Sequence, residues 1–304
     1  MQRSSRVESR PLNIIHMAED MTDTHYRPDL SDHPVHRIAP LDRYVWGRWH
    51  HGRVTTRGYA LEARLALKAL KVRGTPQKFL IFARPRSGTW LLSTLLNQVP
   101  GLTCEGEMLH FAVAAPRRFL NNAARCTTDA VYGNKLLSYQ LLEIQRVPPV
   151  GFFEGLAEDG FRFIHMRRNT LSQCFSLATA QLTRQYRLRP EQKDRPVKEV
   201  TIDPNYFVHL VRWNIAMLDF ETRLMARVPH LMTDYDRDFS DGVKHQASID
   251  RICDFLDHPR APVSARLHKL GARNVVLNRD ELMERLKAEG LDTALDRVEK
   301  EEPK

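Results

Sequence analysis

The run FLIFARPRSGTWLLSTLL, Phe79–Leu96, is the part of this chain from which its fold is read. KFLIFAR (Lys78–Arg84) is short, apolar and aromatic, the length and composition of a buried strand. WLLSTLLNQV (Trp90–Val99) reads as a helix that ends at Pro100-Gly101. Between them a loop containing Gly88 must turn sharply, aiming the backbone N–H groups of Ser87, Gly88, Thr89 and Trp90 into one concavity, where the helix start adds its positive dipole end. Gly88 permits close backbone approach, Ser87 and Thr89 offer hydroxyls, and Arg86 adds a fixed cation. The segment is built to hold a phosphate-like anion. It is not a Walker A loop, because Thr89 stands where that motif has lysine and no glycine precedes at the required position. Ser-Gly-Thr is also a common turn composition, so the loop alone leaves an ordinary strand-to-helix turn open.

Working outward, VYGNKLL (Val131–Leu137) and FRFIHMR (Phe161–Arg167) read as two further strands, and HLMTDYDRDF (His230–Phe239) contains another. Asn169 is placed to cap a helix over Thr170–Tyr186, and helices are expected over 205–226, around Ile249–Leu256 and in the charged tail from Asp280. Strands alternating with helices imply an α/β fold with three layers: a central, mostly parallel sheet covered on both faces. Arg187–Pro204 is polar and proline-punctuated, a surface segment or lid.

A second segment downstream counts only beside the first, since alone it reads as a helix-start cation and an incidental helical serine. In FIHMRRNTLSQCFS a strand ends in arginine, and Ser176 follows Arg168 by eight positions inside the next helix. A guanidinium grips phosphate bidentately, and a hydroxyl with a helix start completes the shell. Arg167 competes for the same role. Taken with PRSGTW after an apolar strand, this pattern resembles the PAPS-dependent sulfotransferases (PAPS, 3′-phosphoadenosine 5′-phosphosulfate), bacterial carbohydrate and glycolipid branch. The resemblance covers most of Lys78–Leu282 and implies a P-loop-like fold. It implies that Arg86, Ser87, Gly88, Thr89 and Trp90 hold the 5′-phosphosulfate end of PAPS, with Arg168 and Ser176 on the 3′-phosphate. Lys269 and Arg273 would add late contacts. The implied reaction is in-line transfer of a sulfuryl group to a hydroxyl of a saccharide or glycolipid.

Such a transfer needs a base for the acceptor proton and cations for the charge that builds on the transferring oxygens. Arg86 suits the second role, and its high pKa makes it a poor proton donor. Some relatives use a Lys-Thr-His step; here the strand reads Asn134-Lys135-Leu136-Leu137, without that histidine. CEGEMLHF instead offers Glu107 as base, by resemblance to carbohydrate-directed relatives, with His110 as rival and Lys135 as a cation near the transferring group. No His, Cys and Asp cluster suggests a metal, and none is required by this chemistry.

Composition narrows the remainder. The chain has 304 residues, 42% hydrophobic and 27% charged, with 46 basic against 37 acidic side chains and a net charge of +9. That surplus favours anionic partners. Cys104, Cys126, Cys174 and Cys253 are dispersed, without a CxxC pair, as expected of reduced thiols. No apolar run approaches the ~18 residues of a membrane span, so a cytoplasmic location is expected. Residues 1–40 read as a flexible arm, 41–77 as a basic helical lead-in, and 78–304 as the sulfotransferase domain. Between Arg43 and Arg73 stand eight basic residues and one acid, Glu62, and Tyr59–Val72 has helical periodicity. It is either a solvated face packed on the domain or a peripheral membrane contact. No aromatic-basic motif favours nucleic acid. A nucleotide-dependent kinase with a degenerate phosphate loop and a basic polyanion- or membrane-binding module are the rival functions.

Overall fold

The computed structural model describes residues 54–186, 198–239, 241–264, 275–293 and 295. Residues 1–53 and 187–197, together with Lys269 and Arg273, lie outside the described residues. Helix α1 (Thr56–Val72) leads into β1 (Gln77–Ala83), α2 (Thr89–Leu96), β2 (Leu102–Glu107), α3 (Pro116–Arg125) and β3 (Val131–Leu137). After a π-helical turn (Gln140–Gln145) come α4 (Pro149–Glu158), β4 (Phe161–Arg167), α5 (Thr170–Thr183) and the short β5 (Glu199–Val200). Helix α6 (Pro204–Met225), β6 (His230–Asp234), α7 (His245–Phe255), β7 (Val275–Val276) and α8 (Arg279–Ala288) complete the chain.

Five strands form one parallel sheet in the order β2-β3-β1-β4-β6, so β1 is central, with β3 and β4 as its neighbours. Every residue of β3 is buried, the polar Asn134 and Lys135 included. Gly133 is required there, since a Cβ would lie 2.1 Å from the Phe79 ring of β1. One sheet face carries Leu80, Phe82 and Phe163 against Phe153, Phe207 and Phe220. The other carries Phe79, Ile81 and Ile164 against Leu92 and Leu95 of α2 and Ile249 and Ile252 of α7. The expected three-layer α/β architecture is therefore observed.

Three elements left without assignment in the sequence are ordered: the edge strand β2 and the helices α3 and α4, each helix with proline in its first turn. The strand in HLMTDYDRDF stops at Asp234, and Tyr235–Phe239 forms a π-helical turn. Among the described residues no helix is long and apolar enough to cross a membrane.

Candidate functional site

Strand order creates the site. The chain leaves β1 toward β2 on one side and reaches β4 on the other, so the loops after β1 and β4 open at the carboxyl ends of adjacent strands, at a topological switch point. Phe82 pairs in register with His165, and the segment 84–88 emerges beside 167–169.

In the first loop Arg86 (φ 68°) and Gly88 (φ 94°) both take left-handed backbone conformations, uncommon for a residue with a side chain such as Arg86. Gly88 is the N-cap of α2 and supplies no side-chain cap, in contrast to Thr55, Asn169 and Asp203 at the starts of α1, α5 and α6. The first-turn N–H groups of α2 thus lack a side-chain acceptor of their own cap residue. Only glycine fits at 88: a Cβ would sit 2.2 Å from Tyr235 Cδ2 and 3.1 Å from Met166 Cε.

The second cluster meets the first directly. Arg86 Nε donates to Ser176 Oγ (3.1 Å), and Arg168 Nη1 donates to the Arg86 carbonyl (2.9 Å). The Arg86 guanidinium also donates to the Tyr186 carbonyl at the end of α5. In this structure one cation therefore joins both predicted cradles, and Arg86 points at the serine assigned to the 3′-phosphate. Arg168 stacks on the Tyr235 ring, 4.6 Å from its centroid. Among the described residues its Nε is buried with no hydrogen-bond partner, as is the hydroxyl of Tyr186. Burial pushes the Tyr186 phenol up to about 12 despite the neighbouring Arg86 and Arg184, so it stays a protonated donor at neutral pH. Arg167 diverges: its guanidinium lies 3.9 Å from Met232 Sδ on β6.

Ser87 is fully buried, and its Oγ accepts from Gln173 Nε2 of α5 (3.3 Å), which fastens the loop to the second cluster. Thr89 opens α2 nearly buried, whereas Trp90 is 47% exposed. Beneath the loop Arg84, fully buried, donates to the carbonyls of Asn214 (3.0 Å) and Arg168 (3.4 Å) and to Thr170 Oγ1 (3.4 Å). Its Nε lies 3.5 Å from Glu221 Oε2, which also meets His165 Nε2 at 3.4 Å. Burial holds the His165 imidazole below its ordinary pKa, although Glu221 acts in the opposite sense. This buried ion pair ties the backbone of Arg168 and the first residue of α5 to β1.

On the other flank of β1, Glu107 ends β2 opposite Lys135 of β3, past a register shift between Cys104 and Glu107. Glu107 Oε2 accepts from Gln140 Nε2 (2.8 Å), and Gln140 Oε1 in turn accepts from the Leu137 N–H (3.1 Å). Lys135 is buried within the sheet. The His110 imidazole Nδ1 contacts the Glu107 carbonyl, so both rival bases belong to one turn. Tyr139, buried beside Glu107, has its phenol held well above the ordinary range by burial first and by the carboxylate second.

Sequence reasoning missed Tyr186, Gln173, Gln140 and the Arg84–Glu221–His165 group. For Glu221 a signal existed: an acid sits among Trp213, Met217, Phe220 and Leu224 on the buried side of α6. For the others side-chain type and spacing carried none.

No family model matches the chain. It is 29% identical over 141 residues to Nodulation protein H of Rhizobium tropici. That match takes in 42% of this chain and 57% of the relative, little more than half of the relative's length. In structure it is similar to the sulfotransferase STF9 from Mycobacterium avium, with a TM-score of 0.42 and 12% identity over 90% of this chain and 88% of that one. It is also similar to the mouse sulfotransferase SULT7A1 complexed with PAP, with a TM-score of 0.39 and 12% identity over 73% of this chain and 66% of that one.

Proposed function

We propose that the chain is a sulfotransferase that moves the sulfuryl group of PAPS to a hydroxyl of a saccharide or glycolipid. The observation that carries this reading is the junction of the two anion cradles, in which Arg86 touches Ser176 and Arg168 touches Arg86 at the carboxyl ends of β1 and β4. A buried guanidinium N–H and a buried phenol O–H without acceptors among the described residues, Arg168 Nε and Tyr186 Oη, flank that junction. Buried donors of this kind leave about 1–3 kcal/mol each to be recovered by a ligand acceptor, and a nucleotide with two separated anionic ends supplies them.

When bound, PAPS supplies the activated sulfuryl group. The N–H groups of 87–90 and Arg86 hold the anionic end from which that group departs, while Arg168 and Ser176 hold the 3′-phosphate. Arg86 releases Ser176 on binding, and its fixed charge stabilises the leaving phosphate. Glu107, oriented by Gln140, takes the proton of the acceptor hydroxyl as its oxygen bonds to sulfur and the bond from sulfur to the phosphate oxygen breaks. Lys135 lowers the charge that gathers beside it.

Thermal-shift titration with adenosine 3′,5′-bisphosphate against magnesium ATP tests the donor. Stabilisation by the bisphosphate and not by ATP supports the reading; the reverse preference identifies a kinase, and indifference to both leaves a non-catalytic anion-binding module. Incubation with sulfur-labelled PAPS and a cell extract, with mass identification of the labelled product, then names the acceptor.

A further inference from the structure

Helix α1 divides into three sectors. Gly58 and Ala69 are buried, and Leu61 and Leu65 pack against the core. Tyr59, Ala63, Leu67 and Leu70 share a second face by helical spacing, and the large ones are 56%, 61% and 59% exposed in chain order. Arg57, Arg64, Lys68 and Lys71 form a third, fully exposed face. Glu62, the one acid of the helix, does not neutralise them: its carboxylate accepts from the Ala114 and Ala115 N–H groups (2.8 and 2.9 Å) at the start of α3.

Beside the apolar face runs a groove of about 830 Å³ between α1, α3 and α4. Ala66 and Leu70 form one wall, and Val147, Pro148 and Phe152 line the opposite side. Arg118 and Arg125 of α3, both exposed, also line it. Arg117 in the same wall is held by Asp159 (2.6 and 2.8 Å). An apolar stripe and groove thus stand beside two cationic rows.

We propose that this face docks on an anionic bilayer surface. A partner helix would cover Tyr59, Leu67 and Leu70 but leave both cation rows without counter-charge. An anionic polymer would satisfy the cations but leave the apolar stripe in water. An anionic membrane interface accepts both, with Lys and Arg reaching to headgroups and the apolar side chains entering the acyl boundary. Helix α1 is fastened to the segment that follows Glu107 and His110: a Cβ at Gly58 would lie 2.7 Å from the Ala112 carbonyl, and Glu62 accepts from the two N–H groups just before α3. Docking therefore bears on the segment that carries the proposed base, yet the docking proposal does not depend on the transfer reaction.

The test is co-sedimentation of the full chain with vesicles of phosphatidylcholine alone or mixed with phosphatidylglycerol. Binding is expected only to the anionic vesicles, and to weaken when salt rises from about 0.1 M to about 0.5 M. Lys68→Ala/Lys71→Ala should lower the partition coefficient about fivefold per cation. Leu67→Glu/Leu70→Glu should lower it at least about tenfold, with the thermal midpoint unchanged. If the glutamates impair folding, Leu67→Ser/Leu70→Ser serves in their place. No binding to anionic vesicles overturns the proposal, as does binding that the leucine variants leave intact. Concentration-dependent dimerisation that those variants abolish, without vesicle binding, assigns the face to a second copy of the chain instead.

Discussion

Gly88→Ala tests the geometry of the site with the fewest assumptions. An alanine there must hold φ near 94°, a conformation that disfavours a side chain by about 1–2 kcal/mol. Its Cβ would also stand 2.2 Å from Tyr235 Cδ2, where ordinary contact begins near 3.4 Å, so the ring must move by more than an ångström. The Arg168 guanidinium rests on that ring at 4.6 Å, and losing the contact removes roughly a further 0.5–1 kcal/mol. The expected loss is about 2–3 kcal/mol of unfolding free energy, read by urea denaturation, with weakened adenosine 3′,5′-bisphosphate binding because Arg168 is displaced. A double-mutant cycle isolates the steric part. Tyr235→Ala removes the atom that is struck, so Gly88→Ala should cost about 1 kcal/mol less in that background. If the two substitutions add within about 0.5 kcal/mol, Tyr235 does not press on the loop and the packing argument fails.

Four further outcomes are expected. Arg168→Ala should weaken adenosine 3′,5′-bisphosphate binding about 10- to 150-fold, the range for hydrogen bonds to a charged group; titration calorimetry reads it, and Arg168→Lys should recover only part of the loss. Glu107→Gln should lower kcat by at least about 100-fold while the bisphosphate affinity stays unchanged; normal turnover would move the base assignment to His110, with His110→Ala as the deciding variant. Glu221→Gln should destabilise the fold by about 3–5 kcal/mol, because it strands the buried Arg84 charge, while Arg84→Met/Glu221→Leu should lose less than the single change. The same group sets an acid limit. His165 titrates below its ordinary ~6.5 in the folded chain, so the unfolded chain binds the extra proton and stability falls as pH drops below about 6.5. Denaturation midpoints from pH 7 to pH 5 should show that slope, and His165→Asn should flatten it.

Much of the architecture was legible because it is local. The bounds of β3 and β4 follow from short runs rich in apolar and aromatic residues, and the start of α5 follows from Asn169, whose side chain accepts from the Ser172 N–H. The loop after β1 suggested an anion site because glycine, hydroxyls and a cation stand together between a strand and a helix start. Strand β2 escaped notice because it is an edge strand with only Leu102 and Cys104 buried and a register shift before Glu107, so alternation is broken.

By itself, then, the chain's order of residues determined most of the element types, the parallel layered class and the residue chemistry of the two segments proposed to hold anions. Tertiary structure alone decided that those segments meet through Arg86 and Ser176, that Tyr235 and Tyr186 enclose them, and that Arg84, Glu221 and His165 brace Arg168 from below. The reason is physical. A residue's secondary structure depends on neighbours a few positions away, whereas its partners across a parallel sheet depend on which strand lies beside which. That order is settled only when the helices pack on both faces and β4 takes its place against β1.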